Sequence, residues 1–287
     1  MAELNDKSAI SPSPPPLSRD VQFSDADFSR IRQLIYRRAG IVLAEHKIEM
    51  VYGRLARRLR QLGLASFRDY IDRLELNPGS PEWETFTNSL TTNLTSFFRE
   101  NHHFPLLGEH VASRSGRVRI WCTAASTGEE PYSIAMTLME TLGSRAEPEV
   151  LATDIDTDAL FKAEQGIYPM VDVGKLSETR IKRFFLKGAG DHSGFARIRP
   201  ELAARVVFQP LNLIADNWAV QGQFDAIFCR NVMIYFDKAT QVRILERFVP
   251  FLKPGGLLFA GHSESFSYIS DCFKLRGQTV YTVADKS

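Results

Sequence analysis

The chain has 287 residues, with 35 Lys and Arg against 34 Asp and Glu, 44% apolar residues and 24% charged ones. That is the make-up of a globular chain with enough material for a substantial core, and it excludes disorder over most of the length. A formal charge of +1 gives no overall attraction to nucleic acid or anionic lipid, so any electrostatic partner must be met by a local patch.

Residues 1–20 are polar, carry Pro12, Pro14, Pro15 and Pro16, and lack an apolar run. They read as a disordered tail and not as a secretory signal. From Ser24, a plausible N-cap with Asp27 in the first turn, Phe28, Ile31, Leu34 and Ile35 recur at helical spacing until Gly40. A second helix carries Ile48, Val51, Leu55, Leu59 and Leu62 on one face and stops at Gly63. Helical stretches near Phe67 to Leu76 and Trp83 to Leu90 complete an all-α unit over 21–90. Thr85 to Phe98, the longest stretch without charge, is only 14 residues and rich in Thr, Asn and Ser. It is too short and too polar to cross a bilayer as a helix.

After a linking segment, 91–103, short β-type runs alternate with helical ones through 104–287. Arg117 to Thr123, Val150 to Asp154, Val206 to Leu211, Asp225 to Cys229 and Gly256 to Gly261 read as strands. Glu129 to Leu142, Asp156 to Gln165 and Lys238 to Leu252 read as helices. This alternation predicts βαβ units and a mostly parallel, doubly wound sheet, which binds ligands at the carboxyl ends of its strands. Phe184 to Arg199 breaks the rhythm as two short strands around a glycine-rich turn, a small antiparallel excursion near 180–205. Its loop Gly188 to Gly194 opens no helix, so a hairpin turn is a better reading than a phosphate cradle. Cys122, Cys229 and Cys272 are widely spaced and odd in number, which excludes a complete disulfide framework or a C-x-x-C zinc pair and points to a reducing cytoplasm. His102, His103 and His262 have no partners at metal-ligand spacing.

The first strand–helix junction, W-C-T-A-A-S-T-G-E-E-P-Y-S over 121–133, is the most informative segment. It has one glycine, Gly128, and matches neither the nicotinamide fingerprint nor a phosphate loop. Two carboxylates, Glu129 and Glu130, in the first turn of the helix would repel a pyrophosphate and favour a cation. S-adenosylmethionine, with its sulfonium and α-ammonium groups, has that charge. A capping box from Ser126 to Glu129 would also explain one of the glutamates, so both readings of the junction stay open. Asp154 ends the second strand, where an acidic residue in such folds grips the ribose hydroxyls, while Asp156 stands where the next helix wants its N-cap.

The blocks T-T-N-L-T-S-F-F-R-E (91–100), A-A-S-T-G-E-E-P-Y-S-I-A (124–135), A-T-D-I-D-T (152–157), F-C-R-N-V-M-I-Y-F (228–236) and L-K-P-G-G-L-L-F-A-G-H-S-E (252–264) together resemble the chemotaxis receptor methyltransferases, the CheR family. The resemblance runs from about residue 24 over the rest of the chain. It implies an all-α N-terminal domain followed by a Rossmann-like α/β S-adenosylmethionine-dependent methyltransferase domain with a small antiparallel β-subdomain. It also implies methyl transfer from S-adenosylmethionine to chemoreceptor glutamates, giving methyl esters and S-adenosylhomocysteine. Carried over by position, the cofactor contacts fall on Asn93, Thr95, Arg99, Glu130, Asp154, Asn212, Leu213, Arg230 and Asn231. Arg99 and Tyr235 are the catalytic candidates.

A glutamate carboxylate is already ionised at pH 7, its reference pKa being about 4.3, so the reaction needs positioning and exclusion of water more than a general base. Between His46 and Arg68 stand Lys47, Arg54, Arg57, Arg58, Arg60 and Arg68 against one acid, Glu49. Arg54, Arg57 and Arg58 are therefore the substrate-binding candidates, suited to an acidic helix, although a solvated face would look the same. Poor aromatic interleaving speaks against nucleic acid. The family further implies a cytoplasmic monomer recruited to receptor arrays, with the β-subdomain able to hold a receptor's C-terminal tail as an added strand. The competing readings are a methyltransferase acting on a small molecule or RNA, and a cofactor-binding adaptor without turnover.

Overall fold

The computed structural model describes residues 21–114 and 116–284; the expected 1–20 tail lies outside the described residues. Four helices form the N-terminal unit: α1 (Asp25–Ala39), α2 (Ile48–Gln61), α3 (Phe67–Leu76) and α4 (Glu82–Leu90). The local chemistry of α1 follows the sequence. Ser24 and Asp27 exchange hydrogen bonds in a complete capping box, and Gly40 ends the helix at φ 71. Val51, Leu55 and Leu59 of α2 are fully buried against Ile31, Ile35, Tyr70 and Phe86 in a core confined to this unit, apart from Ile155 and Tyr235 at its margin. Each such side chain contributes about 1.5–3 kcal/mol through burial.

Beyond α5 (His103–Val111) comes the α/β part. Its strands and helices in chain order are β1 (Gly116–Cys122), α6 (Glu129–Leu142), β2 (Ala146–Asp154), α7 (Thr157–Gln165), β3 (Ile167–Pro169), α8 (Met170–Val173), α9 (Glu178–Phe184), β4 (Phe185–Lys187), β5 (Phe195–Ile198), α10 (Pro200–Ala203), β6 (Val206–Pro210), β7 (Phe224–Cys229), α11 (Lys238–Phe248), β8 (Leu252–Ala260), β9 (Phe273–Gly277) and β10 (Val280–Val283). Seven strands form one sheet in the order β6-β2-β1-β7-β8-β10-β9. The first five are parallel, and β10 and β9 run antiparallel at one edge. Separate apolar clusters cover its two faces, one under α5, α6 and α7 and one under α11. The sheet is therefore buried on both sides, which is why β7 reads as an unbroken apolar run apart from Asp225.

Several boundaries differ from the sequence reading. The helix from Lys238 ends at Phe248 instead of Leu252, because Pro250 cannot donate to the helical ladder and Val249–Phe251 tightens into a 3-10 turn. The small sheet has three strands, in the order β3-β5-β4. Its β3 lies before the expected 180–205 span, and three residues ending in Pro169 carry no alternation to read. The Gly188 to Gly194 loop holds a short 3-10 turn at Gly190–His192 between antiparallel β4 and β5.

The end of α1 is bolted to the α/β part. Tyr36 donates its hydroxyl to Asp237 at 2.5 Å, Asn212 Nδ2 donates to the Arg38 carbonyl at 2.8 Å, and Val42 N donates to the Tyr235 carbonyl at 2.8 Å. At Gly40 an added Cβ would stand 2.7 Å from Ile214 Cγ2, so glycine is demanded there by closeness as well as by φ.

Candidate cofactor and active site

A cleft of about 470 Å³ opens between the helical unit and the carboxyl ends of β1, β2 and β7. Its walls include Asn93, Thr95, Arg99, Glu130, Asp154, Asn212, Leu213, Arg230, Asn231 and Tyr235, together with Lys47 and Arg54 from the helical side. Its lining carries both signs of charge: buried Glu130 and half-buried Asp154, with exposed Lys47 and half-buried Arg54.

The junction after β1 is built differently from a capping box. Gly128, at φ 99, is the residue preceding α6. An added Cβ there would meet the Tyr168 hydroxyl at 2.6 Å and Ala163 Cβ at 2.9 Å. Ser126 takes φ 49, and Glu129 accepts from its neighbour Thr127 at 2.7 Å. Of the two readings of the junction, the Ser126–Glu129 box is the one not formed, because the chain turns left-handed twice before the helix begins. Helical capping geometry cannot form across those turns.

That turn aims Ser126 N at Asp154 Oδ2, 2.7 Å away, while Asp156 N donates to Asp154 Oδ1 at 2.9 Å. Burial pushes the Asp154 pKa up to about 6 against the pull of the Asp156, Ser126 and Ile155 N–H groups. Asp156 caps α7 by accepting from Ala159 N. Its other oxygen takes Thr91 Oγ1 at 2.5 Å and Asn93 Nδ2 at 2.6 Å, which fixes the 91–95 segment across the cleft.

Glu130 is buried, and Arg230 Nη1 donates to its Oε2 at 2.6 Å. Burial drives the Glu130 carboxyl upward, with Arg230 pulling the other way. Arg230 has a fully buried side chain and also donates to the Arg99 carbonyl at 2.5 Å and lies 3.2 Å from Glu100. Its guanidinium is the counter-charge that keeps two acids buried, and it is engaged by the protein itself. Asn231, at φ 57, donates Nδ2 to Glu100. Asn212 has both ends of its amide occupied, by the Arg38 carbonyl and by Ile214 N. Leu213 is a buried wall residue. Arg99 donates one nitrogen to the Leu94 carbonyl at 2.9 Å.

Of the three arginines expected to bind substrate, Arg54 lines the cleft and donates Nη1 to the Thr91 carbonyl. Arg57 is exposed. Arg58 makes a two-pronged pair with Glu82, at 2.9 and 2.6 Å, and Tyr70 donates to the same carboxylate. Burial works against the Glu82 carboxylate, yet Arg58 and Tyr70 outweigh it and hold its pKa below the usual range. Arg58 therefore ties α2 to α4 and α3, while Lys47 and Arg54 line the cleft and Arg57 is exposed on α2.

Two residues escaped the sequence reading. Buried Glu264 accepts the backbone N–H groups of Asn231, Val232, Met233 and Gly261 at 2.6–3.0 Å, holding the loop that ends in Tyr235. Glu100 accepts from Asn231, Arg230 and His262 N. Single acids far from their partners in sequence carry no spacing signal. A strand ending in glycine just before Glu264 was the available hint.

Among the described residues no group of three or more His, Cys, Asp or Glu is arranged to hold a metal, and no helix is long and apolar enough to cross a membrane. The acidic residues of the cleft fit S-adenosylmethionine. Two desolvated carboxylates, one of them at the end of β2, suit a ligand that brings positive charge and a pair of hydroxyls. Glu130 and Asp154 would hold those groups.

The sheet order and this acid-floored cleft define the class of S-adenosylmethionine-dependent methyltransferases. The family profile described as "CheR methyltransferase, all-alpha domain" matches residues 26–91, and "CheR methyltransferase, SAM binding domain" matches 93–282. Curated proteins named "Chemotaxis protein methyltransferase" are similar over nearly their whole length. One from Klebsiella aerogenes is 64% identical, covering 92% of this chain and 92% of its own. One from Escherichia coli is 59% identical, covering 93% and 94%. "Chemotaxis protein methyltransferase 2" of Pseudomonas aeruginosa is 50% identical, covering 95% and 98%. The chain belongs to the CheR methyltransferase family.

Proposed function

We propose that this chain transfers the methyl group of S-adenosylmethionine to glutamate side chains of chemoreceptors, leaving glutamate methyl esters. The observation that carries the reading is one cleft lined both by acids, buried Glu130 and half-buried Asp154, and by bases, Lys47 and Arg54, with Arg99 and Tyr235 also in its walls. A cationic cofactor and an anionic substrate can then meet in a single space. The names of the relatives support the same receptor system.

The cofactor supplies an electrophilic methyl group on a positively charged sulfur. The substrate carboxylate is its own nucleophile at neutral pH, so the protein has no proton to remove. Arg99 has one nitrogen on the Leu94 carbonyl and offers its remaining donors to a carboxylate, for which the guanidinium fork is suited. Tyr235 offers a hydroxyl to the same group. Walls from both parts of the chain limit water where opposite charges are cancelled, which favours the transfer.

In this proposal 21–90 reads the receptor, 91–103 links it to the cofactor cleft, and 104–287 carries the transferase. The enzyme works as a cytoplasmic monomer recruited to receptor arrays. The three-stranded sheet has free edges at β3 and β4 with Ile167 and Leu186 exposed, which suits a receptor tail added as a strand. The test is incubation with labelled cofactor and a receptor cytoplasmic fragment, with and without its C-terminal residues. Base-labile label on receptor glutamates is expected, at a lower rate without the tail. Label only on RNA or a metabolite, or cofactor binding without transfer, would overturn the proposal.

A further inference from the structure

Three large apolar side chains stand exposed in the walls of the cleft. Leu94 is 78% exposed, Ile234 53% and Val42 47%, and they come from three separate loops. Isolated exposed apolar residues are ordinary. Here each is fixed to one of the two candidate catalytic residues. The Leu94 carbonyl accepts from Arg99 Nη1 at 2.9 Å. Val42 N donates to the Tyr235 carbonyl at 2.8 Å. Ile234 directly precedes Tyr235 in a 3-10 turn, whose start is anchored by Glu264. Three exposed apolar side chains thus share one cleft with Arg99 and Tyr235, and basic Lys47 and Arg54 line the same cleft, with Arg57 exposed one turn beyond Arg54 on α2.

We infer that Leu94, Ile234 and Val42 form a collar that grips the apolar flank of an amphipathic, acidic helical segment of the protein substrate. The inference rests on the receptor-methylation reading and deepens it. Charge complementarity selects the occupant. A segment with acids on one side meets Lys47, Arg54 and Arg57, and its apolar side then faces the collar, with the reacting glutamate at the boundary. Seating it covers the three side chains and removes water from the entrance, where a lower local dielectric strengthens the contacts that Arg99 and Tyr235 make. Small free carboxylates cannot cover the collar, so the collar discriminates in favour of helical protein segments.

The experiment compares wild type with Leu94→Ser, Ile234→Ser and the conservative Leu94→Met, using a receptor cytoplasmic fragment as substrate and calorimetry for the cofactor. These side chains are exposed, so the serine variants are expected to fold. Loss of one buried apolar side chain at the contact predicts kcat/KM for the fragment lower by roughly ten- to a hundred-fold. Cofactor affinity is expected to be unchanged, and Leu94→Met should retain most of the activity. If the wild type methylates the fragment and the serine variants match it, the collar is refuted while the activity stands. If the serine variants lose cofactor affinity instead, these residues belong to the cofactor site and the inference is refuted. If the wild type transfers no label to the fragment, the receptor reading itself fails.

Discussion

Arg230→Met removes the only cation within 4 Å of Glu130 among the ion pairs of the described residues. In the native protein its guanidinium is fully buried, 2.6 Å from Glu130 and 3.2 Å from Glu100, whose side chains are 9% and 14% exposed. Removing one partner of such a pair leaves an uncompensated buried charge and costs about 3–5 kcal/mol. With a urea dependence near 3 kcal/mol per molar for a domain of this size, the midpoint falls by about 1–1.7 M. The pH dependence carries a sign. Glu130 already has its pKa raised by burial, with Arg230 opposing. Without Arg230 the folded-state pKa rises further above the unfolded value of about 4.3. A raised carboxyl pKa destabilises the fold when the group is ionised, and that penalty disappears once both states are protonated. The deficit of the variant relative to wild type should therefore be largest near pH 8 and shrink toward pH 4. Urea titrations by tryptophan fluorescence across that range read it directly. A deficit below about 1 kcal/mol at pH 8, or one that widens in acid, would refute the argument that Arg230 acts as counter-charge to buried acids.

Asp154 titrates near pH 6 in the free protein, and a hydroxyl pair is bound by its ionised form. Calorimetry should show cofactor affinity constant above pH 7 and about tenfold weaker at pH 5, with Asp154→Asn weaker throughout and flat between those values; a flat wild-type profile contradicts the assignment. Gly128→Ala places a Cβ against Tyr168 and Ala163 at φ 99. Backbone strain and overpacking together predict a loss of about 2–5 kcal/mol in urea denaturation, and a loss within 0.5 kcal/mol of zero, on the order of an ordinary surface change, would show that the junction relaxes freely. Arg57→Glu with Lys47→Glu should lower kcat/KM for a receptor fragment and leave the melting temperature unchanged. Arg58→Glu should instead destabilise the helical unit by setting a carboxylate against Glu82; normal thermal stability of that variant would contradict the structural role of the pair.

The alternation of strands and helices was readable because the carboxyl halves of β1 and β2 and all of β7 are buried apolar runs, and α6, α7 and α11 between strands carry a 3.6-residue period. The antiparallel edge β9–β10 was missed. Phe273 and Val280 are buried, but β9 and β10 are only five and four residues long, and the F-K-L-R alternation of β9 is too short to stand out. Within the site, Asp154 and Glu130 were legible because position relative to a strand end and a helix start has chemical meaning. The loop conformations were not. Ser126, Asn231, Phe98 and Glu100 all adopt positive φ, a region that residue type announces only for glycine. Those turns decide which side chains are engaged internally, as Asn212 and Arg230 are, and which are left facing the cleft.

The bolts between α1 and the α/β part bear on how the protein melts. Asn212, Val42 and Tyr235 take part in the domain contact and also line the cleft, so occupancy of the cleft and docking of the helical unit are thermodynamically linked. A ligand that binds only the assembled cleft adds its binding free energy to the union of the two parts, about 2.7 kcal/mol at a hundredfold excess over Kd. Cofactor concentration would then set whether the chain unfolds in one transition or two. A cell depleted of methyl donor would hold the same polypeptide with its helical and α/β parts more loosely joined.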